Sequence, residues 1–227
     1  MRFAYSLAAL GAVGALASTA GAAVSFTYAD PPGSNEVVYT APLDPGDDGV
    51  VTVDTIVDLQ VDLSDHGLGV HDFFGVHFVK QATVGPATEV APGIFSAESI
   101  DCTFSYTTSG GDFLLGGSYS GGNLVLVANS GSLTANITAP GGLLAYSYGQ
   151  PMLDLLFGSG LVYGPAIDAV WTLTNVSNVA ILPSGYFDSF TSNAAFTGTA
   201  QIVPTPGALA LGLFSCVTAY GRRSSRR

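Results

Sequence analysis

The chain has 227 residues, 48% of them hydrophobic and only 10% charged, so it has ample apolar material for a core and is not of the disordered class. Its formal net charge is −11, unevenly spread: all 17 carboxylates, Asp30 to Asp188, lie between Val24 and Val203 with a single basic residue, Lys80, giving that body a net charge of −16. Such a body repels nucleic-acid phosphates and anionic headgroups, which excludes nucleic acid as its partner and favours solubility and cation association.

In chain order, the first segment is Met1 and Arg2, an apolar run from Phe3 to Ala17, and small residues to Ala23. A positive start, an apolar centre and an Ala-x-Ala site (Ala20-Gly21-Ala22) are the three parts of a secretory signal, predicted over residues 1–23 with cleavage after Ala22 or Ala23. The body is then predicted over residues 24–203. Its first chemical candidate is the turn Asp44-Pro45-Gly46-Asp47-Asp48-Gly49, where Asp44, Asp47 and Asp48 offer carboxylates to a hard cation such as calcium. The spacing differs from a regular calcium loop, and Asp-Pro and Asp-Gly are also ordinary turn formers.

Val50 to Leu63 has the clearest periodicity. Val51, Val53, Thr55, Val57, Leu59, Val61 and Leu63 alternate with mostly polar residues, predicting a half-buried strand with Asp54, Asp58 and Asp62 on its wet face. Carboxylates four apart on a strand are separated by roughly 13 Å, too far to share one ion. His66, His71 and His77 follow within twelve residues beside Asp65 and Asp72, but their spacing matches no familiar metal signature, and a turn plus strand is predicted there.

Further strands are predicted at Phe73–Lys80, Ser99–Thr107, Phe113–Tyr119, Leu124–Ala128, Leu133–Ala139, Leu143–Tyr148, Met152–Phe157, Ala166–Thr174, Val179–Leu182 and Ala194–Val203. Ser120–Asn123, Asn129–Gly131 and Pro140–Gly142 read as hairpin turns. The 29 glycines suit many tight turns. Together these predict an all-β body, an antiparallel β-sandwich of jelly-roll type, with helices only in the signal and in a short hydrophobic C-terminal segment. Cys102 is the body's only cysteine, so it has no disulfide partner there and is predicted to be a small buried apolar residue. No Gly-x-Ser-x-Gly elbow, Cys-x-x-Cys pair or phosphate loop occurs, and the body has one lysine and no arginine with which to clamp an anionic substrate. No catalytic residue is assigned, and the chain is read as non-enzymatic.

The last segment, residues 204–227, opens with Pro204-Thr205-Pro206, continues through an apolar run from Gly207 to Tyr220, and ends in Arg222, Arg223, Arg226 and Arg227. Prolines break the preceding strand, the apolar run falls short of the ~20 residues of a comfortable span, and terminal arginines hold their end inside. The segment resembles the PEP-CTERM sorting signal in its proline pair, its Gly-Ala-Leu-Ala-Leu-Gly run and its arginine cluster, with Thr205 where the family has glutamate. The resemblance covers only residues 203–227. It implies transient membrane insertion of the tail, cutting near the prolines by an exosortase-type membrane protease, and delivery to the cell envelope or extracellular matrix. Residues and resemblance together lead to an exported structural or adhesive protein. A lectin-like module binding extracellular polysaccharide or calcium is the alternative, and a hydrolase using paired carboxylates is a third, weaker reading.

Overall fold

The computed structural model describes residues 23–29, 35–44, 46–128, 130–136 and 143–205. Of the expected signal only Ala23 falls within them, and of the expected tail only Pro204 and Thr205. The described chain is all-β: β1 (Ala23–Tyr28), β2 (Val37–Thr40), β3 (Gly49–Asp62), β4 (Val70–Ala91), β5 (Ile94–Thr107), β6 (Phe113–Val127), β7 (Ser130–Asn136), β8 (Leu143–Tyr148), β9 (Leu161–Thr174) and β10 (Phe190–Pro204), with one short helix, α1 (Gln150–Leu155).

The ten strands form one hydrogen-bonded sheet, antiparallel at every ladder, rather than the two separate sheets of the expected sandwich. The ladders close on themselves. From β3 they pass through β4 and β5 to β6, from β6 to β7, from β7 to β9 and from β9 to β10. Two short strands share the last position: β2 lies between the first residues of β10 and β3, and β1 between their later residues. Strand β8 pairs with the first half of β6 and meets β9 through side chains, Tyr146 donating its hydroxyl to the Asp168 carbonyl and Tyr148 stacking on Tyr163 at 4.1 Å.

Closure separates an inside from an outside, and the period-two pattern sorts side chains between them. In β3 the expected register holds. Val51, Val53, Val57, Leu59 and Val61 are buried, as is Leu63 just past the strand, while Asp54 and Asp58 face out with Ile56 between them, and Thr55 and Asp62 are half-buried. Among the aliphatic side chains of the interior runs a set of aromatic rings in contact: Phe78 stacks on Tyr106 at 4.5 Å, Phe104 meets Trp171 edge-on at 5.1 Å, and Trp171 tilts against Phe196 at 5.0 Å. Apolar residues inside and carboxylates outside is the reverse of a lipid-facing barrel. Among the described residues no helix is long and apolar enough to cross a membrane.

Several local expectations need correction. Ser120–Asn123 is not a turn, because β6 runs straight through it and stays paired with β5 on both sides. Gly121 takes φ +72° within the strand, and the two halves of β6 have different neighbours, β8 before and β7 after. Met152–Phe157 is not a strand. Pro151 stands in the first turn of α1, where its missing N–H costs nothing, and Met152 and Leu156, four apart, are the side chains that α1 and its end bury. Val179–Leu182 makes only one bridge, Ile181 to Phe187, since Pro183 ends any ladder beyond Leu182. The last strand reaches Pro204, one residue past its expected end, paired with Leu161. The expected turn at Pro140–Gly142 lies outside the described residues.

The junction into α1 is unforgiving. A β-carbon on Gly149 would run into the Phe113 backbone carbonyl, whereas one on Gly85 would meet Ile100 at an ordinary 3.7 Å. Gly149→Ala should therefore lower unfolding stability by about 2–3 kcal/mol, and Gly85→Ala should change it by less than about 1 kcal/mol, as read by urea denaturation. Equal effects would contradict the packing at this corner.

Candidate functional site

The unusual group of the body is inside it. In β4 the even-numbered residues Val76, Phe78, Ala82 and Val84 are buried, and Lys80 falls in the same row, 2% exposed. It pairs with Val53 on β3 and Phe104 on β5, which places its side chain in the middle of the closed sheet. The ammonium donates to Cys102 Sγ at 3.2 Å and lies over the Trp171 ring, 3.1 Å from its centroid, with the Tyr119 ring centroid at 5.3 Å. The Cys102 thiol in turn approaches the Thr103 carbonyl at 3.7 Å, and Tyr119 shares a 3.1 Å hydrogen bond with Ser99. Beside the amine, Val51, Val53, Leu124, Leu133 and Leu173 bound an apolar void with room for about one water molecule.

A cation in such surroundings is costly without a partner carboxylate. Burial pulls the Lys80 pKa from 10.5 down to about 8, against the opposing pull of Cys102. The face of Trp171 supports whatever charge remains, a cation–π contact worth about 2 kcal/mol when desolvated. The site thus holds an amine that loses its proton near pH 8, in contact with a thiol, shut away from substrates larger than small diatomics or water. Burial likewise pushes the phenols of Tyr106, Tyr119, Tyr146, Tyr148 and Tyr163 well above their ordinary value, and raises Tyr39 to about 12 with help from Tyr186 and Asp48.

The residues singled out from sequence lie elsewhere. Asp44 and Asp47 are exposed on a turn in which the Asp47 N–H reaches the Asp44 carbonyl at 3.3 Å, and Asp48 is half-buried beside Tyr39. Among the described residues, no three His, Cys, Asp or Glu side chains stand together as a metal site, these three included. The histidines are separately engaged: His71 Nε2 is 3.0 Å from the Leu68 carbonyl, and His77 Nε2 pairs with Asp54 at 2.7 Å on the outer face. Asp58 accepts the Gly75 N–H, and hydrogen bonds from Ser64 hold the Asp62 carboxyl below its usual range. Of the sorting residues, Pro204 ends β10 and Thr205 donates its N–H to the Gly160 carbonyl at 2.8 Å, while Pro206, Arg222, Arg223, Arg226 and Arg227 lie outside the described residues. The expectation for Cys102 holds as to burial, but sequence reasoning did not place Lys80 beside it. The signal was available: extending the Val76-Phe78 alternation by one step puts Lys80 on the inner face.

No protein family matches the chain, and neither does a curated protein or a solved structure.

The buried amine makes stability pH-dependent with a definite sign. Between about pH 8 and 10.5 the unfolded chain keeps a proton that folded Lys80 has released, so the contribution of Lys80 alone to stability rises with pH by about 1.4 kcal/mol per unit, roughly 3 kcal/mol over the window. The tyrosines act oppositely. Above about pH 10 they ionise in the unfolded chain first, and stability falls as pH rises further. Urea unfolding should thus find maximum stability between about pH 8 and 10. Lys80→Met, which fills the site without charge, should raise stability at pH 7 by about 1–3 kcal/mol and abolish the rise above pH 8 while leaving the alkaline fall. A variant that keeps the rise would place its origin elsewhere.

Proposed function

We propose that this is an exported envelope or extracellular-matrix protein whose body, a jelly-roll-like module in which two halves of a closed sheet pack as the layers of a sandwich do, serves a structural or adhesive role. One observation supports this best. Every described tyrosine and Trp171 is buried or half-buried, with Trp171, Tyr28, Tyr39, Tyr106 and Tyr119 fully inside, so the rings that would form a sugar-binding platform are spent on the core. What the outer face of β3 presents instead is a row of carboxylates, suited to hydration and mutual repulsion between copies. The lectin-like alternative would have to use Phe74 and Phe157, 72% and 89% exposed, as its aromatic contacts.

Residues 204–227 supply the address in this reading. Pro204 is the last residue of the last strand and Pro206 cannot extend it, so in this reading the protease acts on the chain just beyond that strand, the apolar run holds it at the membrane, and each arginine resists burial in hydrocarbon by several kcal/mol. Protein recovered from its native cells should be found outside the cytoplasm and should end between Pro204 and Gly207 by intact mass. Replacing Arg222, Arg223, Arg226 and Arg227 with serine should leave the chain unprocessed or mislocalised. An intact C-terminus at Arg227 in the mature protein would overturn the sorting role. Retention of the body on an extracellular polysaccharide would favour the lectin-like alternative.

A further inference from the structure

We propose that Lys80 and Cys102 are a modification site: an oxidant-driven, thiol-reversible covalent bridge, Nζ–O–Sγ, forms between β4 and β5 in the interior of the sheet. The two reacting atoms are already in hydrogen-bond contact at 3.2 Å, on side chains each only 2% exposed. They project from the same face of paired strands, with Cys102 opposite Ala82 and Lys80 opposite Phe104, so the backbone ladder holds them diagonally adjacent. Cys102 is the only cysteine between Val24 and Val203, which denies an oxidised sulfur its usual outcome, a disulfide within the body. The nearest nucleophile is instead the lysine nitrogen. That nitrogen is nucleophilic only when unprotonated, and burial already draws its pKa down to about 8. Trp171 and the surrounding aliphatic side chains exclude bulk water, which would otherwise hydrolyse an activated sulfur.

The chemistry balances with dioxygen as the oxidant. One thiol, one amine and one dioxygen give the bridge and one water. An S–O and an O–N bond form from one oxygen atom, and the other leaves as water with the thiol hydrogen and one amine hydrogen. Sulfur and nitrogen each give up two electrons and dioxygen takes four. Two equivalents of a dithiol reverse the change, regenerating thiol and amine and releasing the bridging oxygen as water. Dioxygen is small and apolar enough to reach a packed interior during ordinary core fluctuations. The bridge also removes the basic nitrogen from the core, so the oxidised protein no longer carries a buried cation at neutral pH.

The sequence provides its own assay. Lys80 is the only lysine or arginine between Ala23 and Thr205, hence the only tryptic site of the body. Full-length protein equilibrated with air or dilute hydrogen peroxide is denatured without reductant, with free thiols blocked, and digested with trypsin. The bridged body should stay uncut at Lys80 and weigh one oxygen atom more and two hydrogen atoms less than the reduced chain. Dithiothreitol before blocking should restore both the mass and cleavage of the body into two fragments after Lys80. Cys102→Ser should be cut whether oxidised or not, and Lys80→Arg, which trypsin still recognises, likewise. Cleavage of the oxidised wild type at Lys80, with only whole oxygens added to Cys102, would overturn the bridge. So would an uncut chain lighter by two hydrogens alone, which would be a direct sulfur–nitrogen bond.

Discussion

Strand β10 is hydrogen-bonded along both edges, to β9 on one side and to β2 and then β1 on the other, and this double pairing closes the sheet. Without it the ladder would end in two open edges, each a template for association with other chains. With it, the strands in the circuit have an inner and an outer face, and between the irregularities of the ladders a residue's parity decides which of the two it takes. The fold needs two short strands to complete the circuit because β3 and β10 are longer than either. Splitting one position between β1 and β2 fills the span, much as β6 divides its far edge between β7 and β8.

Closure also explains the lysine. Once β4 is fixed by its register against β3 and β5, the even-numbered residues from Val76 to Val84 point inward, and position 80 has no way to present its side chain to solvent without slipping that stretch of the strand. A one-residue slip would expose Val76, Phe78 and Val84 at once, at a cost well above that of one buried amine. The interior accommodates the lysine by what surrounds its tip: an aromatic face, a polarisable sulfur and little else. It is a tolerable place for a neutral amine and a poor one for an ammonium.

The sequence and the fold agree where the signal is periodic. The alternation from Val51 to Leu63 locates a strand, its buried face and its acidic face together, because a half-exposed strand needs nothing more than a period of two. Agreement fails where tertiary pairing overrides local chemistry. Ser120 to Asn123 has the composition of a turn, yet β5 holds both halves of β6 in one ladder, with Gly121 at a positive φ inside it. Met152 and Leu156 are compatible with either strand or helix in so short a segment, and Pro151 and Gly149 decide in favour of the helix. The contact between Lys80 and Cys102 was not legible, because 22 residues separate them and only the β4–β5 register brings them together. The cation candidates at Asp44, Asp47 and Asp48 read as a site because turn formers and calcium ligands share the same residues; the fold leaves two of them exposed on a turn and the third beside Tyr39.

The distribution of charge then has a consistent physical reading. Seventeen carboxylates belong to the body and its one cation is in the middle of it. Exposed carboxylates are well hydrated and screened beyond about 8–10 Å at physiological salt, so they contribute little to the energetics of the interior. They act at the surface, where like charge opposes close approach of two copies. Among the described residues Lys80 forms no ion pair with a carboxylate. Its chemistry is set by burial and by its contacts with Trp171, Tyr119 and Cys102, and the molecule therefore has two electrostatic regimes that scarcely communicate: a hydrated anionic shell that responds to salt, and a dry amine–thiol contact whose amine responds to pH.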